Sequence, residues 1–224
     1  MPTGPAAYDP AMPSPSTITA FTVTAVLFVL FPGPAMLFLV ARGVAGGPRV
    51  GALSALGVET ANAVYVVATA LSLTAILAAS TVAFTAVRYA GAAYLVYLGI
   101  RTLRDRNDPE PPAVARGSLT AWTSWRQGFL VGIGNPKAVL FFLAFFPQFV
   151  DPDAGSAALQ IVFFGLVFVC LGLVTDSAYA LLAGTAGNWL RSSLAFFAVR
   201  RWVSGTVFIG LGVAAALSGS RQQH

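Results

Sequence analysis

Three ionisable side chains stand where an apolar sequence carries almost none. Glu59 lies in ALGVETANAV, Asp176 in LVTDSAYALL and Lys137 in GIGNPKAVLF, each flanked by uncharged residues. A charge in hydrocarbon is costly, so each of these groups should face a cavity or a partner. A carboxyl in such a place suits proton coupling or the binding of a substrate amine, which assigns Asp176 and Glu59 to that chemistry. Lys137 directly follows a proline and complements a substrate carboxylate or pairs with a helix acid. Plainer readings stand beside these. Lys137 can snorkel to an interface, Asp176 can form a structural pair with Lys137, and Glu59 can be a hydrogen-bonded packing residue beside Asn62.

Two proline elements supply the other half of a site. Pro32-Gly33-Pro34 and Gly134-Asn135-Pro136 each interrupt an apolar run. Proline removes a backbone donor and clashes with the preceding turn, so each helix should kink or break there. The half-helices starting at Pro34 and Pro136 then open with free N–H groups and positive dipole ends, a seat for an anion such as a carboxylate. The substrate-binding candidates are therefore Gly33, Pro34 and Ala35 at one break, Asn135, Pro136 and Lys137 at the other, and Asn62 beside Glu59. At about 1.5 Å per residue, both breaks lie roughly 12 to 15 Å from a bounding arginine, Arg42 or Arg126. Proline and glycine also bend packed transmembrane helices without any site. Their repeat-equivalent placement favours a functional one.

The elements that must position these residues are membrane helices. Of the 224 residues, 57% are hydrophobic and 9% charged, with mean hydropathy +0.76, against roughly a quarter charged in a globular domain. Six runs approach the about 20 apolar residues a bilayer requires: Ile18 to Val40, Val50 to Ala79, Val82 to Ile100, Gly128 to Val150, Ala157 to Ala186 and Trp202 to Leu217. The expected fold is an all-α integral membrane protein with six transmembrane helices in two inverted three-helix repeats. Residues 1–17, rich in proline, form a disordered extracytoplasmic tail without the positive n-region of a signal peptide. Residues 18–103 form the first repeat, 104–125 a cytoplasmic linker, 126–218 the second repeat and 219–224 a short tail.

The net charge of +5 does not point to nucleic acid, because the basic residues sit at the ends of apolar runs. Ten of them, Arg42, Arg49, Arg101, Arg104, Arg106, Arg116, Arg126, Arg191, Arg200 and Arg201, fall on one side of the expected topology. By the positive-inside rule that side is cytoplasmic and both termini face outward. Cys170 has no disulfide partner in the chain, and the single histidine is the last residue, so no histidine-based metal site can be assembled. No cofactor is expected.

The halves resemble each other helix by helix. Pro32-Gly33-Pro34 aligns with Gly134-Asn135-Pro136, the stretch from Leu56 to Thr60 with that from Leu171 to Thr175, and Arg88-Tyr89-Ala90 with Arg201-Trp202-Val203. Three helices per half is an odd number, so the second copy enters the membrane from the opposite face. Inverted repeats are the architecture of secondary transporters that alternate access around a midplane site.

The segments FPGPAMLFLVARGVAGGPRVGALSALG, YAGAAYLVYLGIRTLR and GFLVGIGNPKAVLFFLAFFPQFV resemble the LysE/RhtB family of bacterial amino-acid exporters, from about Ile18 to Leu217. The resemblance implies export of amino acids or similar small metabolites across the cytoplasmic membrane, driven by protons. Its implied partners are an amino-acid-like substrate, protons and the lipid bilayer, and a homo-oligomer is left open. Ala35 stands where family members often carry Asn or Asp, and Glu59 where a small residue is usual. A relative exporting a metal cation or another toxic solute is the nearest competing reading, and would be expected to carry His or Cys clusters. An intramembrane enzyme would need a nucleophile–base pair or paired carboxylates at close range, whereas these acids lie on different helices.

Overall fold

The computed structural model describes residues 13–30, 33–80 and 120–191, with isolated positions between 82 and 104 and at 209 and 213. Every element among them is helical. Helix α1 spans Pro15–Leu30 and α2 spans Pro34–Ala79. Helix α3 spans Ala121–Ile133, and the short α4, Pro136–Leu140, runs on through a π-helical turn, Phe141–Phe145, into a 3-10 turn, Phe146–Phe149. Helix α5 spans Ala157–Arg191. Pro34–Ile76 and Ala157–Thr185 are each long and apolar enough to cross a membrane, and Ala121–Ile133 with Pro136–Phe149, bent by 48°, makes a third such span. The expected spans Val82 to Ile100 and Trp202 to Leu217, the pair Arg88 and Arg201, and the tail 219–224 lie outside the continuously described residues.

Several expected boundaries move. Helix α1 begins at Pro15, where Ser14 Oγ accepts the Thr17 N–H at 3.2 Å, so the expected tail 1–17 loses its last residues to a helix. The linker ends earlier too, since Thr120 Oγ1 accepts the Thr123 N–H at 3.2 Å and starts α3 inside 104–125. The run from Ile18 to Val40, expected to kink or break at its prolines, is broken into two helices, ending at Leu30 and restarting at Pro34.

The connection expected around Arg42 and Arg49 is also different. Helix α2 folds back on itself at Gly47, whose φ of 80° and ψ of 177° form a combination essentially reserved for glycine. Pro48 then opens the second arm with a ring that fits the first turn of a helix. The reversal is tight: a Cβ added to Gly51 would lie 3.1 Å from Gly43 Cα, whereas eight residues of straight helix would separate them by about 12 Å. Arg42 therefore sits in a helix, not a loop. Only 1% exposed, it donates from Nη2 to Ser124 Oγ at 2.9 Å and from Nε to Ser54 Oγ at 3.4 Å. Charge counting along the chain is blind to such burial.

The second arm of α2 is the axis of the molecule. Cβ atoms on Gly57 and Gly128 would collide with the carbonyls of Trp125 and Ser54, so α2 and α3 touch backbone to backbone. On its other side, Gly43 and Gly184 bring the α2 hairpin against α5 at Ala180 and Pro48. Small residues allow this proximity in a solvent that provides no hydrophobic drive between helices.

Two apolar clusters divide the interior. One gathers Phe21 and Phe28 of α1, Val66 and Leu73 of α2, Phe141, Phe142, Phe145 and Phe146, and Ile161, Phe164 and Phe168 of α5. The other gathers Ala35, Phe38, Leu39, Ala55, Val58 and Ala180. Along α2 the order is Val58, then 59 to 62, then Val66; along α5 it is Phe168, then 172 to 176, then Ala180. Between the clusters lies the cavity described next.

Candidate functional site

Both helix breaks meet the middle of α2 and α5 at one cavity of about 40 Å³. Of the candidates singled out in the sequence, Gly33, Ala35, Glu59, Asn62, Asn135, Lys137 and Asp176 all line it. Pro34 and Pro136 stand behind the wall and start the helices that present it. The remaining lining includes Phe28, Val29, Met36, Val58, Phe168 and Gly172, which sequence reasoning did not assign.

Lys137 is placed by features of the first break. A carbonyl in a helix bonds the N–H four residues on, but for Phe28 that residue is Pro32, which has none. Lys137 Nζ donates to the freed Phe28 carbonyl at 2.5 Å and lies 4.5 Å from the centre of the Phe28 ring. Its stem crosses Gly33, where an added Cβ would sit 3.0 Å from Lys137 Cδ. Asp176 lines the same cavity and acts on the ammonium electrostatically. The ammonium is turned to the break rather than along a snorkelling path.

The two carboxyls, offset by two positions in the repeat alignment, nevertheless meet. Glu59 and Asp176 stand near one another in the cavity wall, close enough for each carboxyl to act on the other. Gly172 makes the room: a Cβ there would lie 2.6 Å from Glu59 Oε1. Asn62 Nδ2 donates to Glu59 Oε2 at 3.1 Å, while the buried Asn62 Oδ1 has no partner among the described residues.

The two half-helix N-termini are not equivalent. At Pro34 no side chain among the described residues caps the helix, and the first intrahelical bond runs from Leu37 N to Gly33 O, so the Ala35 and Met36 N–H groups precede it. At Pro136, Asn135 Oδ1 accepts the Lys137 N–H at 3.1 Å. The expected pair of free donor ends is thus one free end and one capped by its own asparagine. The second end contributes a cation in place of bare amides.

A helical membrane protein whose two broken helices converge on a half-buried lysine and two neighbouring carboxyls has the construction of a transporter. Comparison with known proteins identifies the family: the model for LysE type translocators matches residues 26–219, and the chain belongs to that family. It is 31% identical to an uncharacterized membrane protein of Vibrio cholerae, over 88% of this chain and 95% of that one. It is 27% identical to a homoserine/homoserine lactone efflux protein of Salmonella typhi, covering 88% and 94% of the two chains, and 27% identical to a leucine efflux protein of an Enterobacter species, covering 88% and 93%. No solved structure matches.

Proposed function

We propose that this protein exports an amino acid or a similar small zwitterion across the cytoplasmic membrane, by proton antiport with alternating access at the cavity. The observation that carries the proposal is the pairing of opposite chemistries there. Lys137 and the free Ala35 and Met36 N–H groups suit a carboxylate. The unpartnered Asn62 Oδ1 and the Glu59–Asp176 pair suit an ammonium. One proton shared by the carboxyl pair would bring the three ionisable groups to neutrality, which fits a zwitterion better than a net charge. Phe28, Val29, Met36, Val58 and Phe168 leave apolar wall for a short side chain. The ammonium of Lys137 opposes a metal cation as cargo.

The cavity's 40 Å³ holds about three waters, far less than an amino acid. Apolar clusters flank it along both helix directions, so a cargo of that size needs the site to widen toward each side in turn. The names of the efflux relatives agree with this direction of transport. The test is a panel of labelled amino acids in cells expressing or lacking the protein. Expression should accelerate loss of one or a few small amino acids, more so when the medium is acidified. No accelerated loss of any of them would refute the proposal.

A further inference from the structure

The breaks that create the cavity free backbone carbonyls, and the two halves of the molecule satisfy them crosswise. For Leu30 the residue four positions on is Pro34, which has no N–H to give. The hydroxyl of Tyr179 on α5 donates to the Leu30 carbonyl instead, at 2.9 Å. For Ile133 that residue is Lys137, whose N–H is turned to Asn135 Oδ1. The hydroxyl of Tyr65 on α2 donates to the Ile133 carbonyl, at 2.5 Å. The middle helix of each half thus holds the broken helix of the other. Where Pro34 aligns with Pro136 and Gly57 with Gly172, Tyr179 falls one residue from the counterpart of Tyr65, and Ile133 one from that of Leu30. Two independent contacts therefore share one pseudo-symmetric plan.

We propose that Tyr65 and Tyr179 are the two latches of the transport cycle, each holding shut the half-helix on one side of the cavity. This rests on the alternating-access reading above. Opening on the α1 side requires α1 to part from α5, and opening on the α3 side requires α3 to part from α2. An O–H···O bond is lost once the oxygens separate beyond about 3 Å, so neither latch survives the opening of its own side. Both are engaged here, with an apolar cluster on each side of the cavity. Water entering an opened side can satisfy the released carbonyl, whereas the closed state without a hydroxyl leaves it bare. Removing one hydroxyl should therefore favour opening on that side alone, by about threefold to tenfold. Tyr65 and Tyr179 are positioning residues in this account, acting through the half-helices rather than on the cargo.

The experiment reads accessibility from each face. In a Cys170→Ser background, Ala138→Cys places a thiol in the cavity wall, and a small membrane-impermeant methanethiosulfonate is applied to intact cells or to inside-out vesicles. Tyr179→Phe should speed modification from one face about threefold to tenfold, Tyr65→Phe from the opposite face, and the double variant from both. In a Pro34→Ala background the N–H returned to Leu30 meets its carbonyl directly, so Tyr179→Phe should add no further bias. Equal effects on both faces, the same face for both variants, or no change would each overturn the latches, and so would an undiminished effect of Tyr179→Phe in the Pro34→Ala background. If Tyr65→Phe fails to accumulate, the Pro34→Ala and Tyr179→Phe comparison alone decides. Labelling does not depend on the cargo, so opposite-face bias without amino-acid export would uphold the latches and reject the proposed substrate.

Discussion

At the scale of single residues, the site is assembled from groups that proline and glycine leave exposed. Lys137 depends on the carbonyl freed at Phe28 and on the bare surface of Gly33. Lys137→Met keeps the stem over Gly33 and removes the charge, so export should fall by about tenfold to a hundredfold, the worth of a charged hydrogen bond. Thermal stability should hold or rise, because a buried ion is costly. Export at the normal rate would make Lys137 a packing residue. Asp176→Asn keeps shape and hydrogen bonding while removing the titrating group, so residual export should no longer respond to an imposed proton gradient; Glu59→Gln is the parallel substitution. A response retained in full by both would separate the carboxyls from coupling. Gly172→Ala places a Cβ 2.6 Å from Glu59 Oε1, and the displaced carboxyl should cost export about tenfold even where the protein accumulates normally, since overpacking costs typically about 1–3 kcal/mol.

At the scale of elements, the geometry rests on two different uses of glycine. Gly128→Ala drives a methyl into the Ser54 carbonyl at the α2–α3 seam, and should lower stability by about 1–3 kcal/mol, read as a lower melting temperature in detergent. Nothing lies within 4 Å of a Cβ on Gly47, but its φ of 80° makes any side chain costly by about 1–3 kcal/mol. Because its ψ is extended rather than left-handed helical, Gly47→Asn should rescue nothing relative to Gly47→Ala; a rescued melting temperature would contradict the hairpin geometry. The breaks and the cavity's ionisable residues were legible in the sequence, because prolines and charges are anomalies in apolar runs. Asn62 was legible through its neighbour Glu59. The hairpin at Gly47 was not, since a helix that reverses within one residue retains helical composition on both sides and gave a loop by charge placement. Phe28, Gly172, Tyr65 and Tyr179 were invisible because their roles come from contacts with distant helices. Even so, Pro32 and Pro34 do mark the carbonyls of Phe28 and Leu30 as needing donors from elsewhere. The repeat rests on the alignment within the sequence, and its third pair falls outside the continuously described residues.

At the scale of the whole molecule, the proposed alternating access requires each apolar cluster to be assigned to one side of the membrane. The cluster around Phe38, Leu39 and Ala55 lies toward Arg42, Arg49 and the start of α3, and the phenylalanine cluster lies toward the Asp151 and Asp153 turn. Cytoplasmic segments collect Lys and Arg, so the first cluster should be the inner gate and the second the outer. Burial of Arg42 weakens the count by one but leaves Arg49 and Arg126 exposed at the same end. A reporter enzyme active only outside the cytoplasm should therefore work when fused after Asp153 and fail when fused after Pro112. The turn carrying Asp153 is tied down by Gln160, whose Nε2 donates to the Asp151 and Ala154 carbonyls at 2.8 Å each, so a fusion there reports a defined end of the helices. The reverse pattern would exchange the proposed inner and outer gates. Activity at both sites would mean that the chain inserts in two orientations. The charge asymmetry would then be too weak to set a direction, and the ten arginines would have to be removed or added one end at a time to find where the bias lies.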